Sequence, residues 1–486
     1  MKIKYHVWVC TRWFRNAILR ASGYCIGEEN MTENVADNTI DIETWRTSEK
    51  AIEKSRRYYA HFDYHTDITK CWDYISDPEN IRRHGFYPFI HYTKNMSKYS
   101  AKMGGIKGKR REIYYASHID RCIFQLYNFL LNERYNEECD RLGIQDVAVA
   151  YRTNLNKQSN IDFARKAIQF IRDSGDCYIM IGDFTKFFDN LDHRYLKRQW
   201  CGLLHTDRLP GDHYAVFKNI TRYSYVELTD LLAVHGLENN GKGRRELNAR
   251  QRVLSPKEFK EKGFHIQKNM DRGIPQGSPV SGGLANVYMM EIDREIHDFV
   301  SEYRGMYMRY SDDFIIVLPQ LDRAAAIDVL TRISDLFNRP NRFGLQLEPA
   351  KTQYYHFYGN HMENRGKDIH KHADCSNRYL NFLGFTFDGN KVSLRDKTVS
   401  KYYQRMRRKA KTIARSGGYT ATGKHISMKN LYMRYSIKGA KEKPGNFLTY
   451  VRRAQGASKF GRDEHIGVIL ERNMAKIRGF LKRTKK

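Results

Sequence analysis

MYMRYSDDFIIVLP, Met306 to Pro319, sets two adjacent aspartates, Asp312 and Asp313, between two apolar runs. The runs read as buried β-strands and the aspartates as the turn that joins them. In isolation such a pair is an ordinary solvated turn, because Asp bonds readily to nearby backbone. A third carboxylate changes that reading. Asp183 closes another apolar run, DCYIMIGDF (176–184), which also reads as a short buried strand. Three carboxylates held on adjacent strands can bind two divalent cations side by side. They suit Mg²⁺, a hard cation that keeps its waters and binds substrate phosphates.

The balance of charge is the next constraint. Lys and Arg number 84 against 55 Asp and Glu, a net charge of +29. From Lys391 to Lys486 there are 27 Lys and Arg against 5 Asp and Glu. A polyanionic partner accounts for this excess. Nucleic acid fits better than an anionic membrane surface, because the basic residues alternate with Tyr, Phe and Gly instead of forming one polybasic helix. No apolar run approaches the roughly 18 residues needed to cross a bilayer. The eight cysteines form no CxxC pair, which suits free thiols in a reducing cytoplasm. A length of 486 residues with 41% apolar content supports two or three packed subdomains.

Along the chain, helices alternate with strands. Residues 43–64, 118–139, 160–175, 193–204, 278–303 and 322–340 read as helices, the third capped and ending at Gly175. KMGGIKGKRREIYYAS (102–117) reads as a basic loop, DVAVAYRTN (146–154) as a strand, and ENNGKGRRELNARQR (238–252) as a mobile basic loop between helices. YLNFLGFTFDGNKVSL (379–394) reads as a hairpin turning at DGN. The fold class is α+β, with helices behind an antiparallel sheet and the acidic residues at strand ends. Residues 1–30 differ in composition from the segment after Met31, so either they are poorly ordered or Met31 is the initiator. His356, His361, His370, His372 and Cys375 cluster within twenty residues, yet their spacings fit no zinc module.

RGIPQGSPVSGGLAN (272–286) is a Gly/Pro/Ser path opening a helix, a shape that lets a nucleotide and a template strand approach the main chain. Taken with it, GDFTKFFDNLDH, GIPQGSPVSG, YMRYSDDF, LEPAKTQ and LNFLGF resemble the successive polymerase motifs of reverse transcriptases, in order, over about 180–385. VAYRTNLNKQSNIDFA resembles the preceding fingers motif and extends the likeness to about 110–390. The resemblance implies a right-hand polymerase. Its parts would be a helical N-terminal extension (31–110), fingers and palm (111–390), and a basic helical thumb (391–486).

Carried over by position, the resemblance makes Asp183, Asp312 and Asp313 the catalytic metal ligands, assisted by the carbonyl of Phe184. The cofactor would be two Mg²⁺ ions, with Mn²⁺ as an alternative. Phe188 falls where the family places the sugar gate that blocks a 2′-OH, although plain core packing is the competing reading. Gln276 and Gly277 match residues lining the incoming nucleotide and template. Tyr310 would meet the primer end, and Leu383, Gly384 and Phe385 would form the primer-gripping hairpin. Lys351 resembles the lysine near the leaving pyrophosphate. Arg152 and Lys157 resemble the fingers cations that hold the triphosphate, against the alternative of solvated surface charges.

The activity so implied is RNA-directed DNA synthesis from dNTPs on an RNA template, with cDNA as product and no membrane partner. The polar stretch between Asp183 and Gln276, together with PVSGGLANVYM, is similar to bacterial defence-associated and abortive-infection reverse transcriptases. That group implies an antiphage role and a structured noncoding RNA. Retron or group II intron relatives remain the alternative, as does a non-catalytic maturase-like RNA-binding protein, and a homo-oligomer stays open.

Overall fold

Two short strands joined by two residues build the hairpin expected at 306–319. The computed structural model describes residues 40–482, except 101–104, 156–157, 340–343, 370–372, 374, 421–422, 424 and 443. The expectations for residues 1–30 and for Lys157 therefore fall outside the described residues. Twelve strands are described: β1 (Phe89–Ser100), β2 (Gly105–Tyr115), β3 (Asp176–Asp183), β4 (Ser224–Glu227), β5 (Gln267–Lys268) and β6 (Met306–Tyr310). They continue with β7 (Asp313–Pro319), β8 (Gln353–Tyr358), β9 (His361–Asn364), β10 (Leu380–Phe382), β11 (Phe385–Phe387) and β12 (Val392–Leu394). The chain divides into two compact units. The first holds residues up to Asn154, Thr185–Arg294 and Arg339–Gln346; the second holds Leu155–Phe184, Glu295–Asn338 and Leu347 onward.

The second unit contains a five-stranded antiparallel sheet in the order β6-β7-β3-β8-β9. Residues 177–182 of β3 and 314–318 of β7 are buried without alternation, as central strands covered on both faces require. The helix Asn160–Ser174 packs against β3, β6 and β7. Its start is fixed by a Ser159/Asp162 capping box and its end by Gly175 at φ +69°, a positive φ that glycine adopts without the penalty of a Cβ. On the opposite face Phe314 of β7 meets Phe337 of the helix Arg323–Asn338, with ring centroids 4.7 Å apart, and Phe184 joins both. All three rings are at most 1% exposed, and burying each contributes about 1.5–3 kcal/mol.

Gly182 makes that packing possible. A Cβ there would lie 2.2 Å from Cζ of Phe314. Gly182→Ala is expected to cost about 1–3 kcal/mol through overpacking, read as a lower urea midpoint with unchanged slope. An unchanged midpoint would show that the Phe314 ring swings aside freely.

β10, β11 and β12 form a separate small sheet in this unit, followed by the basic helix Asp396–Arg415. Tyr402, Met406 and Ala410 recur every four residues on its buried side, whereas Lys401, Arg405, Arg408 and Lys411 are exposed. Asn473 ties the last helix to this one by donating to the Tyr402 hydroxyl at 3.0 Å.

The first unit carries the sheet β2-β1-β4-β5, in which β1 runs parallel to β4 and antiparallel to β2. Ala60, Phe62, Ile90, Val226, Leu231 and Leu254 are among the buried residues of its core. The long helix His118–Arg141 starts at Ser117, whose hydroxyl accepts from the Asp120 amide.

Several sequence expectations need correction. The basic segment expected as a loop at 102–117 contains β2, paired with β1 over eleven residues, so the 31–110 segment is not purely helical. DVAVAYRTN forms turns and a single bridge, with Val147, Ala148 and Val149 buried as a packed loop. ENNGKGRRELNARQR holds the helix Gly241–Asn248, capped by the Asn240 side chain. Residues 43–64, expected as one helix, give two short ones, Ile42–Thr47 and Glu49–Ser55. The 379–394 stretch turns twice, first at Leu383–Gly384 and again at Asp388–Asn390.

Candidate functional site

Sheet register assembles the acidic residues. Asp183 stands directly opposite Asp313 across β3 and β7, and Asp313 stands opposite Tyr310 across β7 and β6. Directly opposed residues share a face, with Cβ atoms about 4.5–5.5 Å apart. Tyr310, Asp313 and Asp183 thus form one cross-strand row, with Asp312 in the adjoining turn. Ser311 enables that turn at φ +64°, the positive first position of a two-residue hairpin loop. Arg309, fully buried, donates to the Ser311 carbonyl at 2.9 Å and braces the loop from the far face.

The electrostatics of the row are those of a site with excess negative charge. Lys351 Nζ donates to Asp183 Oδ2 at 2.5 Å. Even so, burial and then the charge of Asp312 hold the Asp183 pKa above the ordinary carboxylate value. In the middle of the row, burial of Asp313 and the carboxylates of Asp312 and Asp183 push its pKa up to about 6, against the pull of Arg395 and Lys351. Asp183 Oδ1 is buried with no hydrogen-bond partner. Leaving such an oxygen unpaired is costly unless something else satisfies it. Among the described residues, no group of three or more His, Cys, Asp or Glu side chains is placed to hold a metal ion. The donors are nevertheless all oxygen, one of them is unsatisfied, and their charges are under-compensated, so the row fits a hard divalent cation.

Phe184, whose carbonyl was expected to assist, is anchored by its buried ring and by an antiparallel bridge to Leu347. The Asp183 carbonyl accepts from the Glu348 amide at 2.8 Å, which joins the LEPAKTQ segment to the end of β3. Leu383 and Gly384 form the tight turn between β10 and β11, both at positive φ. Asn160 donates to the Leu383 carbonyl and to the Tyr450 hydroxyl, each at 2.9 Å. Phe385 is fully buried against Phe460, so it supports the turn from beneath.

Phe188, Gln276 and Gly277 belong to the first unit, where backbone bonds lace them together. The Ile274 amide donates to the Phe188 carbonyl at 2.9 Å and the Gly273 amide to the Leu191 carbonyl at 2.8 Å. The Gln276 carbonyl accepts from the Tyr114 amide at 2.9 Å. A Cβ on Gly277, which sits at φ +121°, would lie 2.5 Å from the Tyr114 carbonyl oxygen, so only glycine passes there. The Phe188 ring is half-buried and rests edge-on against the buried Phe187.

Arg152 is placed differently from its expectation. Its guanidinium donates to Asn136 Oδ1 at 2.5 Å and to the carbonyls of Gln145 and Ala148, and it lies over the Tyr135 ring. It clamps its own loop to the helix His118–Arg141, because a planar fork of donors is well suited to several local acceptors. His356 is likewise engaged, bound to Asp176 and stacked on Tyr178 at 4.2 Å; His370 and His372 lie outside the described residues. Sequence reasoning missed Gly182, Asn160 and Arg395, whose roles depend on neighbours distant in the chain.

Residues 244–387 match the reverse transcriptase (RNA-dependent DNA polymerase) family. The match takes in Gln276, Gly277, Tyr310, Asp312, Asp313, Lys351 and the Leu383–Phe385 turn. It stops short of Asp183, which register alone brings to the row. None of the curated proteins matches the chain in sequence. Among solved structures, the chain is similar to telomerase from Candida albicans in complex with a fragment of telomeric RNA, at 12% identity over 84% of this chain and 62% of that one, TM-score 0.39. Apo telomerase from Candida tropicalis is 15% identical over 66% of this chain and 52% of its own, TM-score 0.36. The RNA-dependent RNA polymerase of a human picobirnavirus is 10% identical over 75% of this chain and 58% of its own, TM-score 0.36. The chain thus spans less than two thirds of each of these proteins, and no property of theirs is carried over to it. Among the described residues no helix is long and apolar enough to cross a membrane.

Proposed function

We propose that the chain is an RNA-directed DNA polymerase that adds dNTPs to a primer on an RNA template. The observation that carries this reading is the row Asp183–Asp313–Tyr310 with Asp312 beside it, inside or against a segment matching reverse transcriptases. Asp183, Asp312 and Asp313, with the Phe184 carbonyl, would hold two Mg²⁺ ions, or Mn²⁺, which when bound lower the pKa of the attacking hydroxyl and offset charge on the pyrophosphate. The primer 3′ hydroxyl attacks the α-phosphate, the new phosphodiester forms, and pyrophosphate leaves. Tyr310 and the Leu383–Phe385 turn position the primer end. Gln276 and Gly277 line the nucleotide, and Phe188 reads its sugar. The basic helices after residue 390 serve as a thumb that tracks the duplex backbone without reading sequence. Incorporation of labelled dNTPs on a primed RNA template with Mg²⁺ tests the reading, and a wild-type chain that incorporates nothing sinks it in favour of a maturase-like scaffold.

Lys351 acts at the leaving pyrophosphate and rests on Asp183 until substrate binds. Lys351→Met is expected to lower kcat about a hundredfold at saturating dNTP and Mg²⁺. A variant with full kcat and only an altered Mg²⁺ requirement would make Lys351 a counter-ion of Asp183 and nothing more.

The resemblance of PVSGGLANVYM and of the polar 184–275 stretch supports a cytoplasmic antiphage role with a structured noncoding RNA, ahead of a retron or group II intron role. Sequencing of the nucleic acids that copurify with the protein should return one enriched RNA and its cDNA. A spread of cellular transcripts with no enriched species would remove the noncoding-RNA part of the reading.

A further inference from the structure

Tyr151 of the first unit is held in the left-handed backbone region, at φ +62°. For a bulky side chain this is a genuine outlier, and such strain persists where the surroundings over-determine it, commonly at functional positions. Both flanks of Tyr151 are fixed. The Ala150 carbonyl accepts from the buried Asn286 side chain at 2.8 Å. Arg152 is clamped to Asn136, Gln145 and Ala148, and Thr153 is held between Asn136 and Glu133.

The ring itself lies on Gly282, where an added Cβ would come within 2.8 Å of it. Gly282 stands in the first turn of the helix Ser281–Ser301, which directly follows the loop carrying Gln276 and Gly277. Despite this support from below, the ring remains 48% exposed. A strained backbone, two fastened flanks and a glycine seat thus combine to hold an aromatic ring in one place with about half of its surface exposed. Packing alone would not require that, since a buried ring would gain more from the same strain. The same unit also offers Lys94 and Arg111, exposed and directly opposed across β1 and β2. Facing like charges are unfavourable until an anionic strand neutralises them.

We propose that Tyr151 is a stacking platform for an unpaired base of the template strand. The identity of that strand as RNA rests on the polymerase reading above; the stacking itself rests on the geometry. Base–aromatic stacking is sequence-tolerant, so the platform would serve any template base.

The test measures affinity of the full chain for two primed RNA duplexes, one with a 5′ template overhang and one blunt, without dNTPs. Tyr151→Ala is expected to weaken binding of the overhang duplex about tenfold and to leave the blunt duplex unchanged. Tyr151→Phe, which keeps the ring, should bind both as wild type does. Tyr151→Gly relieves the left-handed strain, so its thermal midpoint should hold or rise while overhang binding falls. Equal affinities for overhang and blunt duplexes across the series, or a fall in thermal midpoint for Tyr151→Gly with overhang affinity unchanged, would overturn the platform and leave Tyr151 a packing residue. Incorporation by the wild type is scored separately. A chain that shows the overhang-specific loss yet never extends a primer loses the polymerase reading and keeps the platform.

Discussion

Replacing Asp312 and Asp313 together by alanine is expected to abolish dNTP incorporation, by at least about a thousandfold, while the chain stays folded. The reasoning starts from charge. Asp313 is directly opposed to Asp183 across two strands, and like charges in that position repel. Asp183 also keeps a buried, unpartnered oxygen. A fold selected for stability alone has no use for such an arrangement, so the carboxylates repay their cost only through what they bind. The single variant Asp313→Asn sharpens the test, because it preserves shape while removing one of the repelling charges. Its thermal midpoint without metal should match or exceed that of the wild type, whereas its incorporation should collapse. Opposite signs for stability and activity are the signature of a strained functional site. If Asp312→Ala/Asp313→Ala chains extend primers at the wild-type rate, the pair is a solvated turn after all.

Phe188→Ala is expected to shift the preference for dNTPs over rNTPs, measured as a ratio of kcat/KM values, by about 10–200-fold toward ribonucleotides. The backbone around Phe188 is fastened independently of its ring. Its carbonyl accepts from Ile274, and the Gly273 amide binds Leu191. Phe187, buried beneath, stays in place when the outer ring is removed. Truncation therefore opens space without moving the loop, and the change in sugar preference isolates a steric effect. An unchanged ratio would return Phe188 to the role of core residue, the alternative that its half-buried position leaves standing.

The central hairpin was legible because two apolar runs around a short polar turn have few other ways to fold. The capped helix at 160–174 was legible for the same kind of reason, since Ser159, Asp162 and Gly175 mark its ends in the sequence itself. What escaped was decided by partners far away. The 102–117 segment looks like a basic loop until β1 is set beside it in register. The helix at 241–248 carried a readable signal in Asn240, hidden by the surrounding charge. DVAVAYRTN has the composition of a strand, but its apolar residues are buried within a loop that Arg152 fastens to a helix. Arg152 shows the limit most clearly: the motif likeness located the segment, yet only side-chain contacts reveal that its guanidinium faces inward.

The alternation of β3 and β7 makes the acidic row a matter of parity. Odd positions 183 and 313 face the row, while even positions 182 and 314 face the phenylalanine layer. Adding or removing one residue within either strand would exchange the two faces, setting a carboxylate among Phe184, Phe314 and Phe337 and an aromatic ring in the acidic row. Substitutions in these strands can be graded by size and charge, but a change of length by one has no mild form. Insertions and deletions among homologues should therefore fall outside 176–183 and 313–319, in the connecting segments, where no count has to be kept even or odd.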